Sequence, residues 1–219
     1  MRRPVIALAL VAALGLTACR TRASAPPIRP VARVNLPRYM GRWYVIAAIP
    51  TRIERDDYDP VEHYWLEPDG SICTVFRFRD GGFLAPLRTV HSTATVVAGS
   101  GGGEWQVHLF ALLRLQYLVG WLAPDYRRVI VARDARDYVW LMARTPQVSP
   151  RAYAAMVRRV AAMGYDVNKL RKSPQRWPEP EGPRPPDAAG CRKTLQSRRH
   201  HPTPRAWVAF KSLIGKPSW

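Results

Sequence analysis

The sequence predicts an all-β protein: an eight-stranded up-and-down antiparallel barrel with one C-terminal α-helix packed outside. Short strand-like runs alternate with turn residues from Arg42 to Arg144. Eight runs of this length suit a closed barrel whose interior holds one small ligand. A single amphipathic helical pattern follows them. The expected strands cover residues 42–49, 61–67, 71–79, 88–98, 104–110, 114–122, 127–133 and 138–144. Between the second and third, Pro68-Asp69-Gly70 predicts a tight turn with φ above zero at Asp69 and Gly70. Gly99-Ser100-Gly101-Gly102-Gly103 makes a hairpin loop between the fourth and fifth. In Phe76-Arg77-Phe78-Arg79 the two-residue period puts the phenylalanines on one face and the arginines on the other, expected to meet solvent. For the helix, Ser149 serves as N-cap and Pro150 as first residue, and Gly164 stops it. Tyr153, Met156, Val157 and Val160 recur at i, i+3, i+4 and i+7, a stripe that packs against the barrel wall.

The chain has 219 residues, with 34 Lys+Arg against 16 Asp+Glu, a net +18. Residues 33–172 contribute +7 (20 − 13), residues 173–219 contribute +6 (9 − 3) and the first 32 contribute +5 (5 − 0). More than half of the excess thus lies outside the region expected to fold. No zinc-finger spacing or RNP-like strand accompanies it, so no nucleic-acid partner is expected, and an anionic membrane surface fits better. Arg2 and Arg3 precede an apolar run from Val5 to Leu16, the layout of a signal peptide and too short to span a bilayer. The run ends in Leu16-Thr17-Ala18-Cys19, which resembles the lipobox of bacterial lipoproteins. That resemblance implies cleavage before Cys19, acylation of it with palmitate among the chains, and, because Arg20 is not acidic, sorting to the outer membrane on its periplasmic face. The expected organisation is a signal peptide over 1–18, a lipidated, Pro-rich tether over 19–32, a folded domain over 33–172 and a basic, Pro-rich disordered tail over 173–219.

At the head of the first strand stands Asn35-x-x-x-Tyr39-x-Gly41-x-Trp43; Pro124-Asp125-Tyr126 separates the sixth and seventh strands, and Arg144 closes the eighth. Three elements in this order resemble the three signatures of the lipocalins. The pattern is most similar to the bacterial outer-membrane lipoproteins of that family and its apolipoprotein D-like branch, which also carry Gly-aromatic-Asp after the helix, here Gly164-Tyr165-Asp166. The resemblance implies that Asn35, Tyr39, Gly41, Trp43, Asp125, Tyr126 and Arg144 are structural, with Arg144 lying across the Trp43 indole at the narrow end.

With Trp43 inward, strand parity places Val45 and Ala47 inward as well, with Tyr117, Val119 and Trp121 on the sixth strand and Trp140 and Met142 on the eighth. The second strand is open between two registers: Glu62, Tyr64 and Leu66 inward, or His63 and Trp65. The family implies binding, storage or transport of a small hydrophobic ligand, a fatty acid or lysophospholipid. Val45 and Ala48 stand where bacterial members often have an acidic residue and an arginine, implying a drier interior. His63, His91 and His108 lie on separate strands without metal-ligand spacing, so no metal and no cofactor is expected. Cys73 shares parity with Arg77 and Arg79 and reads as an outward, inert thiol; Cys191 reads as free, with a bond to Cys73 the alternative. No enzymatic activity is expected. The alternatives are an envelope enzyme acting on lipid, or a haem binder if His63 points inward, and a homodimer is possible.

Overall fold

Asn35 begins the first element: its side chain accepts the Arg38 N–H at 3.0 Å and caps a single turn of helix, α1 (Leu36–Tyr39). Gly41, at φ +89°, turns the chain from α1 into β1 (Gly41–Ile49), a conformation closed to most L side chains. An antiparallel meander follows: β2 (Asp57–Leu66), β3 (Ile72–Asp80), β4 (Leu87–Val96), β5 (Glu104–Leu109), β6 (Leu113–Leu122), β7 (Arg128–Ala132) and β8 (Val139–Ala143). Because β1 pairs with both β2 and β8, the sheet closes into a barrel. This computed structural model describes residues 25–50, 56–109 and 113–178.

Antiparallel alternation sorts the connections between two ends. One end carries α1, the β2–β3 turn, the glycine loop and Tyr126, and Arg144 closes it. The other, the mouth, carries the β1–β2, β3–β4, β5–β6 and β7–β8 connections. At the β2–β3 turn only Gly70 takes positive φ, +79°. Asp69 instead accepts from the Ser71 N–H at 2.9 Å and its hydroxyl at 2.6 Å, so an Asx contact does the work expected of a left-handed Asp69.

Helix α2 (Pro150–Ala162) starts at Ser149, whose side chain accepts the Ala152 N–H at 3.2 Å, and ends ahead of Gly164 at φ +87°. Met156 and Val160 are buried against Ala47, Leu118, Ile130 and Leu141 on the outer wall. After the helix comes a ninth strand that the sequence pattern did not suggest, β9 (Arg171–Lys172), paired with Ala47 and Ala48. It is needed because β1 pairs with β2 only over Gly41–Tyr44. Toward the mouth the seam is filled by the chain after the helix. Ser173 donates to Ile46 O at 3.0 Å, Pro174 O accepts from Asp59 N at 2.9 Å, and Gln175 Nε2 bridges Val45 O (2.8 Å) and Pro60 O (3.2 Å).

The packed region therefore exceeds the expected limits of 33 and 172. Trp177 stacks edge-on against Tyr44 at 5.0 Å, and Ile28, expected in a free tether, is buried in the cluster under α2. Arg77 and Arg79 do not meet solvent as alternation suggested: both are buried, and Arg79 donates to Ala85 O at 2.6 Å in the next loop. Cys73 lies on that same outer face, fully buried beside Val75 and Trp65. It is disulfide-bonded rather than a thiol. The two other cysteines, Cys19 and Cys191, lie outside the described residues.

Candidate functional site

The barrel interior has a closed aromatic floor. Trp43 is fully buried and its indole N–H donates to Tyr39 O at 2.8 Å. Tyr39 packs on Trp43 at 5.1 Å and meets Trp105 edge-on at 5.2 Å, and Trp105 stacks flat on Tyr117 at 4.5 Å. The three phenols are chained: Tyr39 and Tyr117 hydroxyls lie 2.7 Å apart, and Tyr117 donates to Tyr64 at 3.1 Å. Burial raises all three well above the ordinary tyrosine value, so each stays protonated and able to satisfy its neighbour. The Tyr39–Tyr117 bond pulls against that rise at Tyr39, and Glu62 adds to it at Tyr64.

Beneath the floor, Arg144 joins the separate pieces of the closed end. Its guanidinium carbon lies 3.8 Å from the Trp43 ring centroid. Its nitrogens donate to Arg42 O at 2.7 Å, Tyr39 O at 2.8 Å, Arg38 O at 3.0 Å and Tyr126 O at 3.3 Å. Asp125 accepts the Arg127 N–H at 3.0 Å and holds the turn in which Tyr126 takes φ +59°. The Tyr126 hydroxyl then accepts from Asn35 N at 2.9 Å. All seven motif residues thus sit together at one end.

Above the floor, two register shifts decide what faces the interior. β1 slips between Val45 and Ala47, and β6 between Val119 and Trp121. Val45, Tyr117, Val119, Trp140 and Met142 join the interior cluster as parity predicts. Ala47 and Trp121 do not: each shift turns its residue to the outer wall under α2, where Trp121 lies beneath the Arg159 guanidinium at 4.4 Å. Ala48 and Leu122 take the inward places instead.

The second strand resolves with Glu62 and Tyr64 inward, Glu62 opposite Trp43 and Tyr64 opposite Thr74. The interior is consequently less dry than the absence of a polar pair on β1 implied. His63 faces outward, stacked on Trp65 at 5.5 Å and accepting from Arg42 Nε at 3.3 Å. Burial, then the charges of Arg42 and Arg77, lowers it to about 4. That register removes the basis of the haem reading. Parity arguments left Trp105 and Val107 unassigned, yet both line the interior, as does Phe76 on the face opposite Arg77 and Arg79. The readable signal for Trp105 was the glycine loop before it, whose Gly102 carbonyl accepts the indole N–H at 2.8 Å. Among the described residues no His, Cys, Asp or Glu group is arranged to hold a metal ion. Cys19 lies outside the described residues.

A floor of Trp43 under an arginine from the last strand, in a barrel with one external helix, is the geometry that the three signatures imply. A family model for a lipocalin-like domain matches residues 34–175, well over half of the chain. The chain is a lipocalin. Temperature-induced lipocalin-1 of Arabidopsis thaliana is 29% identical over 190 residues, covering 84% of this chain and 94% of that protein. Outer membrane lipoprotein Blc of Citrobacter freundii is 29% identical over 170 residues, covering 76% and 93%. Apolipoprotein D of Rattus norvegicus is 24% identical over 160 residues, covering 68% and 80%. Among solved structures, insecticyanin of the tobacco hornworm superposes with a TM-score of 0.54 at 14% identity, covering 68% of this chain and 85% of that one, which shows the shared fold. As a lipocalin the protein belongs with hydrophobic-ligand binding and transport proteins and is not an enzyme.

Proposed function

We propose that this lipocalin is a lipid-anchored protein of the outer membrane that holds a fatty acid or lysophospholipid, acyl chain inward. The observation that carries the reading is the gradient along the barrel axis. A fully buried floor at Trp43, Trp105 and Val119 gives way to the half-buried side chains Phe76, Val107 and Trp140. A barrel closed at one end and lined mainly by apolar and aromatic side chains suits a chain, whose burial contributes up to about 0.8 kcal/mol per CH₂. Affinity then rises with acyl length until the chain meets the floor. Titrating the delipidated protein with saturated fatty acids of increasing length tests this, and a flat length dependence would overturn it.

The anchor reading rests on Cys19 behind its apolar run, and the Blc relative described as an outer membrane lipoprotein supports the same address. It carries a chemical consequence. A thioether at Cys19 consumes that sulfur, so the disulfide of Cys73 must then engage Cys191. Peptide mapping of the unreduced protein should find Cys73 joined to Cys191 and radiolabelled palmitate lost in Cys19→Ser. A Cys19–Cys73 crosslink would refute the anchor.

A further inference from the structure

The path of the first described residues fixes where a membrane anchor must lie. Followed backwards from α1, the chain climbs the barrel wall. Val34 donates to Gly101 O at 2.9 Å at the closed end, and Val31 donates to Val119 O at 2.8 Å. Ile28 donates to Asp134 Oδ1 at 2.6 Å, and Pro26 O accepts from Arg136 Nη2 at 2.6 Å. Asp134 and Arg136 belong to the β7–β8 connection at the mouth. The seat is shaped for this chain: a Cβ at Gly101 or Gly103 would collide with the Ala32 or Val31 carbonyl. From Ala25 back to Cys19 there are only six residues, a reach of about 20 Å at full extension. A nine-residue strand is itself roughly 30 Å long. A lipid on Cys19 therefore lies within reach of the mouth rim and not of the closed end.

That rim is also where the most exposed large apolar side chain of the described residues sits. Leu84, in the β3–β4 loop, is 91% exposed. Its neighbour Phe83 is held down, packed edge-on against Tyr58 at 4.9 Å and covered by the Arg176 guanidinium at 4.8 Å, which leaves Leu84 at the tip. Among the described rim residues Arg88 pairs with Asp80 at 3.1 Å and Arg133 with Asp137 at 2.7 Å, which leaves Leu84 as the apolar contact this loop offers.

We propose that the barrel stands mouth-down on the bilayer in which Cys19 is anchored, with Leu84 inserted among the lipid headgroups. The inference rests on the anchor reading for the tether and on Leu84 independently of it. In this orientation the well opens directly onto the membrane, and an acyl ligand passes between bilayer and barrel without its chain crossing bulk water.

The test is hydrogen–deuterium exchange of the lipidated full chain on mixed phosphatidylethanolamine and phosphatidylglycerol vesicles, against the same protein in detergent. Exchange should slow in the 81–88 loop and stay unchanged in the 66–71 turn, the 97–103 loop and the outer face of α2. Protection of any of those three instead would overturn the orientation. A second arm uses the full-chain Cys19→Ser variant, which keeps the rim but lacks the lipid. It should bind the same vesicles weakly, and adding Leu84→Asp should weaken that binding by roughly tenfold. An unchanged affinity would overturn the docking surface, and Leu84 is too exposed for misfolding to imitate the effect. If palmitate labelling fails, the anchor reading falls alone, and the Leu84 arm still decides the docking.

Discussion

Replacing Arg144 by methionine keeps much of the side chain's volume while removing its charge and its donors. The lost interactions are a cation–π contact at 3.8 Å and hydrogen bonds to the carbonyls of Arg42, Tyr39, Arg38 and Tyr126. The stacking contributes about 0.5–2 kcal/mol. Each bond from a charged donor adds about 1.5–3 kcal/mol when its acceptor stays buried. The Arg38 carbonyl can find water and the Tyr126 bond is long, so two bonds and the stacking dominate, and the total loss is about 3.5–8 kcal/mol. Trp43→Ala, which empties a fully buried aromatic site, costs about the same. The arginine is therefore no minor partner of the tryptophan. The two are also coupled through a shared acceptor, because Trp43 Nε1 and Arg144 Nη2 both donate to Tyr39 O, each at 2.8 Å. Urea unfolding of the two single variants and the double variant, followed by circular dichroism, should give a coupling energy of at least about 1 kcal/mol. Additivity to within about 0.5 kcal/mol would mean that the guanidinium acts only as a carbonyl clamp and that the stacking contributes nothing.

Tyr39, Tyr64 and Tyr117 hold their protons in the fold at pH values where the unfolded chain releases them, so stability should fall as pH rises above about 10, by up to about 4 kcal/mol per pH unit while all three remain protonated. Thermal melts between pH 9 and 11 check this, and Tyr64→Phe should flatten the slope. His63 behaves oppositely: its lowered value keeps it neutral in the fold, so stability present above about pH 6.5 should be lost as pH falls toward about 4, and His63→Gln should remove that part of the acid sensitivity. Acyl-chain binding should quench Trp140, which faces the interior, and leave Trp121 silent under α2; Trp140→Phe should therefore reduce the quenching that survives undiminished in Trp121→Phe.

The closed end was legible because its chemistry is local in sequence or fixed by strand count. Gly41 needs left-handed backbone, Asn35 needs a helix to cap, and an arginine after an even number of strands returns to the end where Trp43 began. The interior was legible only as far as strict alternation holds. Parity carried Val45, Tyr117, Val119, Trp140 and Met142 correctly and failed at the residues just past each register shift. Arg77 and Arg79 show a second limit: alternation says which face a side chain takes, and charge alone does not say whether that face meets water.

The two failures of alternation share a cause that also bears on the well. Val129-Ile130-Val131-Ala132 in β7 and Val139 to Ala143 in β8 read as unbroken apolar runs, the mark of strands buried on both faces. α2 supplies the second face, and its C-terminal end comes so close that a Cβ at Gly120 would meet the Met163 thioether at 3.1–3.2 Å. The strands flanking β7 and β8 are β6 and β1, and each slips by one residue beneath the helix. The slips hand Ala47, small enough to be fully buried under α2, and Trp121, large enough to seal the helix's edge beneath Arg159, to the outer wall. In exchange Ala48 and Leu122 face inward, and the side chain set beside Trp140 across β1 and β8 is the small Ala48. Packing the helix outside and leaving room for a chain inside are thus one arrangement of backbone register. Enlarging Ala48 to leucine should narrow the well beside Trp140 and shift the preferred acyl length downward without disturbing the α2 contact.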